Sequence, residues 1–190
     1  MLRRVLLVVL GAAAAGCGST RPGGGEYLEA PTFLAQELEE RIAAIPYQTE
    51  EELVGNLKRL AYIGEPAVPY LLEALKEGDY RTRGNVAWVL GIMRDRRTIP
   101  ELRDALDDSV ASVRYEVATA LGSLGEPMGY PILIEGLSDP DIRNRYKCHE
   151  ALTLLTRLDF GYVHDDEPSE RARAIQEWES WWLRMERSAP

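Results

Sequence analysis

Apolar residues in the middle of the chain recur at three- and four-residue steps and do not alternate. Val86, Val89, Leu90 and Met93 form one set, Val117, Ala120, Leu121 and Leu124 a second, Val68, Leu71, Leu72 and Leu75 a third, and Tyr130, Leu133, Ile134 and Leu137 a fourth. Spacing of i, i+3, i+4, i+7 puts each set on one stripe of an α-helix and disfavours a half-buried strand. Pro69, Pro100 and Pro131 predict where helices begin, because proline's missing N–H has no intrahelical acceptor in the first turn. Toward the N-terminus, Leu34, Leu38, Ile42 and Ile45 predict a helix from Thr32 that Pro46 stops. Thr49 and Glu52 form a capping box that opens the next helix, with Leu53, Leu57 and Leu60 inward. Toward the C-terminus, residues 142–158 read as a helix and 159–167 as a loop. Pro168 opens a last helix to about Arg187, with Ile175, Trp178, Trp182 and Met185 on one face.

The three prolines lie 31 residues apart, and the apolar segments around them align at the same offset. Val86-Ala87-Trp88-Val89-Leu90-Gly91, Val117-Ala118-Thr119-Ala120-Leu121-Gly122 and Cys148-His149-Glu150-Ala151-Leu152-Thr153 repeat upstream of them with that period. A period of this length means stacked supersecondary units, each hiding its apolar side against the next. The expectation is an all-α superhelical solenoid of about four helical hairpins over 32–187, closed by capping helices at both ends. A further column pairs Glu77 with Arg83, Asp108 with Arg114 and Asp139 with Arg145, always six residues apart. It predicts a structural ladder of charge-assisted bonds, which arginine's planar fork suits.

Val113 to Asp141, VRYEVATALGSLGEPMGYPILIEGLSDPD, resembles the HEAT-like repeat, particularly the short bacterial form first associated with phycobilisome lyases. The resemblance covers roughly Glu50 to Leu158. It implies a HEAT-like α-solenoid, and it places the second helix of each hairpin on the concave side. Those helices carry an acidic column, Glu73, Asp104 and Glu135, and beside it a column that changes from repeat to repeat, Tyr70, Glu101 and Ile132. Read as function, the acids form a groove for a basic partner; read as structure, they are a solvated helix edge. The varying column is either a partner's imprint or drift.

The N-terminus adds an address. Met1-Leu2-Arg3-Arg4, then Val5 to Leu10, then small residues to Gly16 have the basic, apolar and small order of a signal peptide. The apolar run falls short of the ~20 residues that span a bilayer. Ala14-Ala15-Gly16-Cys17 resembles a bacterial lipobox, which implies cleavage after residue 16 and acylation of Cys17, palmitate included. Ordinary secretion is the other reading. Gly18 stands where an inner-membrane retention aspartate would be, so the expected location is the periplasmic face of the outer membrane. Residues 17–31, with Pro22-Gly23-Gly24-Gly25, read as a flexible linker.

Charge and chemistry narrow the partners. The chain has 22 basic and 31 acidic residues, net −9; without residues 1–16 it has 20 basic against 31 acidic, net −11. Such a body is repelled by phosphate backbones, so no nucleic acid is expected. Cys148 falls in the column of Val86 and Val117 and reads as a small buried hydrophobe. Of the two histidines, His149 shares a column with Ala87 and Ala118. His164-Asp165-Asp166-Glu167 is metal-capable in composition, but fits no calcium-loop spacing and reads equally as a solvated loop. Trp181 is either an interface anchor or part of the C-terminal cap. No catalytic residue, cofactor or metal site emerges, and the chain is not expected to be an enzyme. The expected function is a noncatalytic HEAT-repeat lipoprotein serving as adaptor or scaffold for another envelope protein, with oligomeric state open. The alternatives are an enzyme or cofactor handler related to bilin lyases, and a passive structural lipoprotein.

Overall fold

In the computed structural model, which describes residues 27–188, helices start where capping groups and prolines predict. They are α1 (Thr32–Ala44), α2 (Glu50–Ile63), α3 (Val68–Glu77), α4 (Tyr80–Met93), α5 (Ile99–Asp104), α6 (Ala111–Ser123), α7 (Tyr130–Gly136), α8 (Ile142–Thr156) and α9 (Pro168–Ser188). Among the described residues there is no strand. The capping box at α2 is formed, the Thr49 backbone N–H donating to Glu52 at 2.9 Å. Asp79 caps α4 by accepting from the Thr82 N–H at 2.9 Å. Pro69, Pro100 and Pro131 occupy the second position of α3, α5 and α7, each after a short 3₁₀ turn. The signal-peptide segment and Cys17 lie outside the described residues.

The helices form two layers. In one, α2, α4, α6 and α8 each touch their successor; in the other, α3, α5 and α7 pack down onto the first layer but diverge from one another. Leu71, Leu90, Leu102, Leu121, Leu133 and Leu152 fill the space between the layers and are fully buried. This is a stack of paired helices in which apolar stripes supply the stabilising term, about 1.5–3 kcal/mol for each fully buried leucine.

Small residues set the curvature. A Cβ added at Gly91 would lie 2.9 Å from Ala120 Cα, so α4 and α6 approach as closely as backbones allow, and Gly122 likewise makes room for Leu155 of α8. The second helices α3 and α5 carry Leu72, Glu73, Glu101 and Asp104 along the gap between them and splay apart. First helices therefore line the inner, concave face and second helices the outer one. This corrects the expectation that Tyr70, Glu73, Glu101, Asp104, Ile132 and Glu135 face the concave side. Gly91→Val is expected to wedge α4 from α6 and cost about 1–3 kcal/mol, read as a lower urea midpoint. No change in midpoint would contradict the close approach.

Both ends are sealed. At the N-terminal end α1 buries Leu38, and Ile45 is buried just beyond it, while Glu37 accepts from Arg59 at 2.9 Å and Arg41 at 2.8 Å, hydrogen bonds that hold its carboxyl pKa down at about 2, Arg59 foremost. At the C-terminal end α9 packs on α7 with Trp178 fully buried. Trp181 joins this cap, 5.6 Å from Trp178 and 5.4 Å from Tyr130 between ring centres. Met185, expected on the sealing face, is exposed; Ala174 takes the buried place one turn before Trp178. The loop before α9 is tied down by the Tyr162 hydroxyl donating to Leu137 O at 2.5 Å and by Arg145 Nε donating to His164 O at 2.8 Å.

Candidate protein-binding grooves

Splaying of the outer layer opens a groove of about 840 Å³ between α3 and α5. Glu73, Glu101 and Asp104 line it together, joined by Glu77 and Asp107. Its two cations are engaged, Lys76 with Glu77 at 3.2 Å and Arg83 with Asp108 at 2.6 Å. One Glu101 carboxylate oxygen is buried with no hydrogen-bond partner among the described residues. The groove is thus strongly anionic. Tyr70 and Glu73 form the wall of a smaller adjoining pocket of about 420 Å³ whose other side is residues 27–30. Ile132 and Glu135 sit on α7 and line neither pocket; Ile132 is partly buried against the core and Glu135 is exposed.

The last residues of the segment read as a linker are packed. Tyr27 and Ala30 lie against the core, and the Arg97 guanidinium sits 4.4 Å from the Tyr27 ring centre. Asp95 and Glu65 accept from Arg97 at 2.6 and 2.9 Å. Burial, then the charges of Asp95 and Glu101, push the Tyr27 phenol up to about 12.

A second groove, of about 680 Å³, runs along the inner layer from α2 to α8. Its walls repeat at the 31-residue period: Val54, Asn85, Glu116 and Lys147 form one column, and Leu57, Trp88, Thr119 and Glu150 another. The sequence reading missed this face. Its signal was present over the last three helices, since Asn85, Glu116 and Lys147 change character at every repeat while the buried column Val86, Val117 and Cys148 beside them stays apolar.

The charged column is rearranged relative to expectation. Arg114 and Arg145 donate not to the carboxylates six residues back but to the backbone carbonyls of Asp108 and Asp139, at 2.9 and 2.8 Å, and Arg83 donates to Gly78 O at 2.8 Å. The reason is local. Asp108 and Asp139 turn their carboxylates onto the N–H groups of Val110 and Asp141, at 2.8 and 2.7 Å, leaving their carbonyls to the arginine. In this column the links between repeats are instead Arg83 to Asp108, a bidentate pair at 2.6 and 2.9 Å, and the Tyr115 hydroxyl to Asp139 at 2.9 Å. Glu77 is exposed and, among the described residues, pairs only with Lys76.

His149 Nε2 lies 3.7 Å from Asp159, with the ring against Tyr162, and His164 rests on Tyr146. Burial pushes the Cys148 thiol far up, as suits a packing residue. Among the described residues no three metal-capable side chains converge.

The family model for HEAT repeats matches residues 56–116, and that for the PBS lyase HEAT-like repeat matches residues 113–139. This is a HEAT-repeat protein. No curated protein matches the chain. Among solved structures, the HEAT-repeat stack resembles a chain of the complex of CpcE and CpcF of phycocyanin lyase from Nostoc sp. PCC7120, with 21% identity and a TM-score of 0.53, covering 76% of this chain and 99% of that one. It also matches human deoxyhypusine hydroxylase in complex with glycerol, with 31% identity and a TM-score of 0.43, covering 65% of this chain; the chain spans 44% of that protein. The expectation that the chain is not an enzyme is corrected by the match to the phycocyanin lyase chain. A chain of a lyase complex has this stack, so the fold alone does not exclude catalysis.

Proposed function

We propose that this HEAT-repeat protein is an adaptor that recruits a positively charged segment of another protein of the bacterial cell envelope, tethered to the membrane through acylated Cys17. The observation that carries this reading is the outer groove, where Glu73, Glu101 and Asp104 from two successive repeats line one anionic trough. An anionic cleft concentrates cationic ligands and speeds their association. Lysine or arginine side chains entering it meet carboxylates held by helices, with little left to order on the adaptor's side. Anchoring adds to this by confining the adaptor to the surface where its partner resides.

Pull-down with the full chain from envelope extracts is the test. A defined protein is expected to be recovered, to be released by raised salt, and to be lost from Glu73→Lys and Asp104→Lys variants. Recovery of nothing specific, or recovery that survives both charge reversals, would contradict the reading. Mass spectrometry of the N-terminal peptide checks the tether separately: an unmodified Cys17 removes the anchor and leaves the groove untouched.

A further inference from the structure

Residues 27–30, which precede α1, form an arm laid over the outer layer beside the anionic groove. Its inner points are Tyr27 and Ala30, partly buried against the core, while Leu28 between them is 62% exposed. Tyr27 rests on the guanidinium of Arg97, which Asp95 and Glu65 hold in place. A cation–π contact at the rim is a weak hold, so the arm opens at far lower cost than the stack. Glu101 stands four residues after Arg97, in the first turn of α5, and its charge, after burial and the charge of Asp95, raises the pKa of the Tyr27 phenol. Two polar atoms at this corner are buried with no hydrogen-bond partner among the described residues, the Tyr27 hydroxyl oxygen and one Glu101 carboxylate oxygen. Arm and groove also share Glu73, which lines the outer groove and, with residues 27–30, the adjoining pocket.

A carboxylate oxygen out of water and without a donor is a cost that the docked arm carries. It can be offset from the other side. Glu101 also lines the outer groove, and a cation arriving there attracts a poorly solvated carboxylate more strongly than one surrounded by water. We propose that the arm is a clasp that closes on the ligand of the outer groove: Tyr27 docked over Arg97 shields Glu101, and a cationic side chain in the groove relieves the charge that the docked arm leaves unpaired. The inference rests on reading that groove as a site for a positively charged segment. The sign of the coupling follows. Ligand binds the closed form more tightly than the open one, and by linkage bound ligand holds the arm down by the same factor. The Tyr27 ring acts here through Arg97, whereas its hydroxyl, having no partner among the described residues, does not.

The test is the affinity of the full chain for a fluorescein-labelled oligolysine peptide, read by fluorescence anisotropy at low salt. Parent and Tyr27→Phe are expected to bind alike, and Tyr27→Ala at least about fivefold more weakly, the lower end of typical couplings. In a Glu101→Gln background the penalty of Tyr27→Ala is expected to fall below about twofold, because the buried charge that couples the two sites is gone. Saturating peptide is expected to slow chymotrypsin cleavage after Tyr27 and Leu28 of the parent by the coupling factor, since cleavage follows the open population, and to leave it unchanged in Glu101→Gln. Tyr27→Ala binding as tightly as the parent would overturn the clasp and leave the groove standing. A Tyr27→Ala penalty undiminished in Glu101→Gln would overturn it as well, since the ring would then touch the ligand directly. Oligolysine that fails to bind the parent sinks groove and clasp together, whereas a failed pull-down beside bound oligolysine leaves the clasp intact.

Discussion

Trp178→Ala is expected to destabilise the protein by about 3–5 kcal/mol and to free its C-terminal end before the rest unfolds. Trp178 is fully buried, with Phe160 4.7 Å away edge-on and Trp181 5.6 Å away at nearly a right angle. Trp178 is the largest fully buried side chain of α9, so without the indole α9 loses its main hold on α7. In a stack each unit is stabilised chiefly by its neighbours, so loss at one end exposes the next interface. Trp181 and Trp182, half-buried in the same cluster, are expected to shift their fluorescence to the red, and protease is expected to cut between 157 and 167. Trp178→Phe is the informative control. The indole N–H has no hydrogen-bond partner among the described residues, so phenylalanine loses volume but also removes a buried donor, and is expected to cost less than about 2 kcal/mol. An alanine variant with unchanged urea midpoint and unchanged fluorescence would show that α9 is not a cap.

Helix positions were legible in the sequence because each rests on local chemistry. Pro69, Pro100 and Pro131 can stand only in a first turn, and Thr49 with Glu52 fits only an N-terminus. The 31-residue period then implied stacking, since no single hairpin hides its apolar stripe. Which layer is concave was not legible from those columns. It depends on Gly91 meeting Ala120 and Gly122 meeting Leu155, contacts between helices whose separation no local rule sets. The charge ladder failed for a related reason. Six-residue spacing places Asp108 and Arg114 close together, but the carboxylate had a nearer donor in Val110 and a better-shaped one in Arg83. Of the six candidate partner residues, Glu73, Glu101 and Asp104 share a groove because α3 and α5 are adjacent; Ile132 and Glu135, one repeat further on, are separated from it by the same splay that opens it.

The Arg83–Asp108 pair yields the second large effect. The two side chains are 18% and 10% exposed and joined by two hydrogen bonds at 2.6 and 2.9 Å. Arg83→Leu leaves a carboxylate almost out of water with only the Val110 N–H to satisfy it, and is expected to cost about 3–5 kcal/mol. Arg83→Leu combined with Asp108→Leu is expected to cost less than Arg83→Leu alone, with a coupling of about 1–3 kcal/mol. The dependence on pH follows from linkage. Hydrogen bonds from Arg83, foremost, then the Val110 N–H hold the Asp108 carboxyl below the usual aspartate range in the folded state. A lowered folded pKa contributes stability that is fully present above the unfolded value, about 3.9, and is lost as the pH falls through the folded one. The deficit of Arg83→Leu against the parent is therefore expected to be largest near neutrality and to shrink in acid, once Asp108 is protonated in both. Urea midpoints at about pH 7 and about pH 3 measure it, on the descending side where the linkage acts. An identical deficit at both values would mean that the pair contributes packing and not charge.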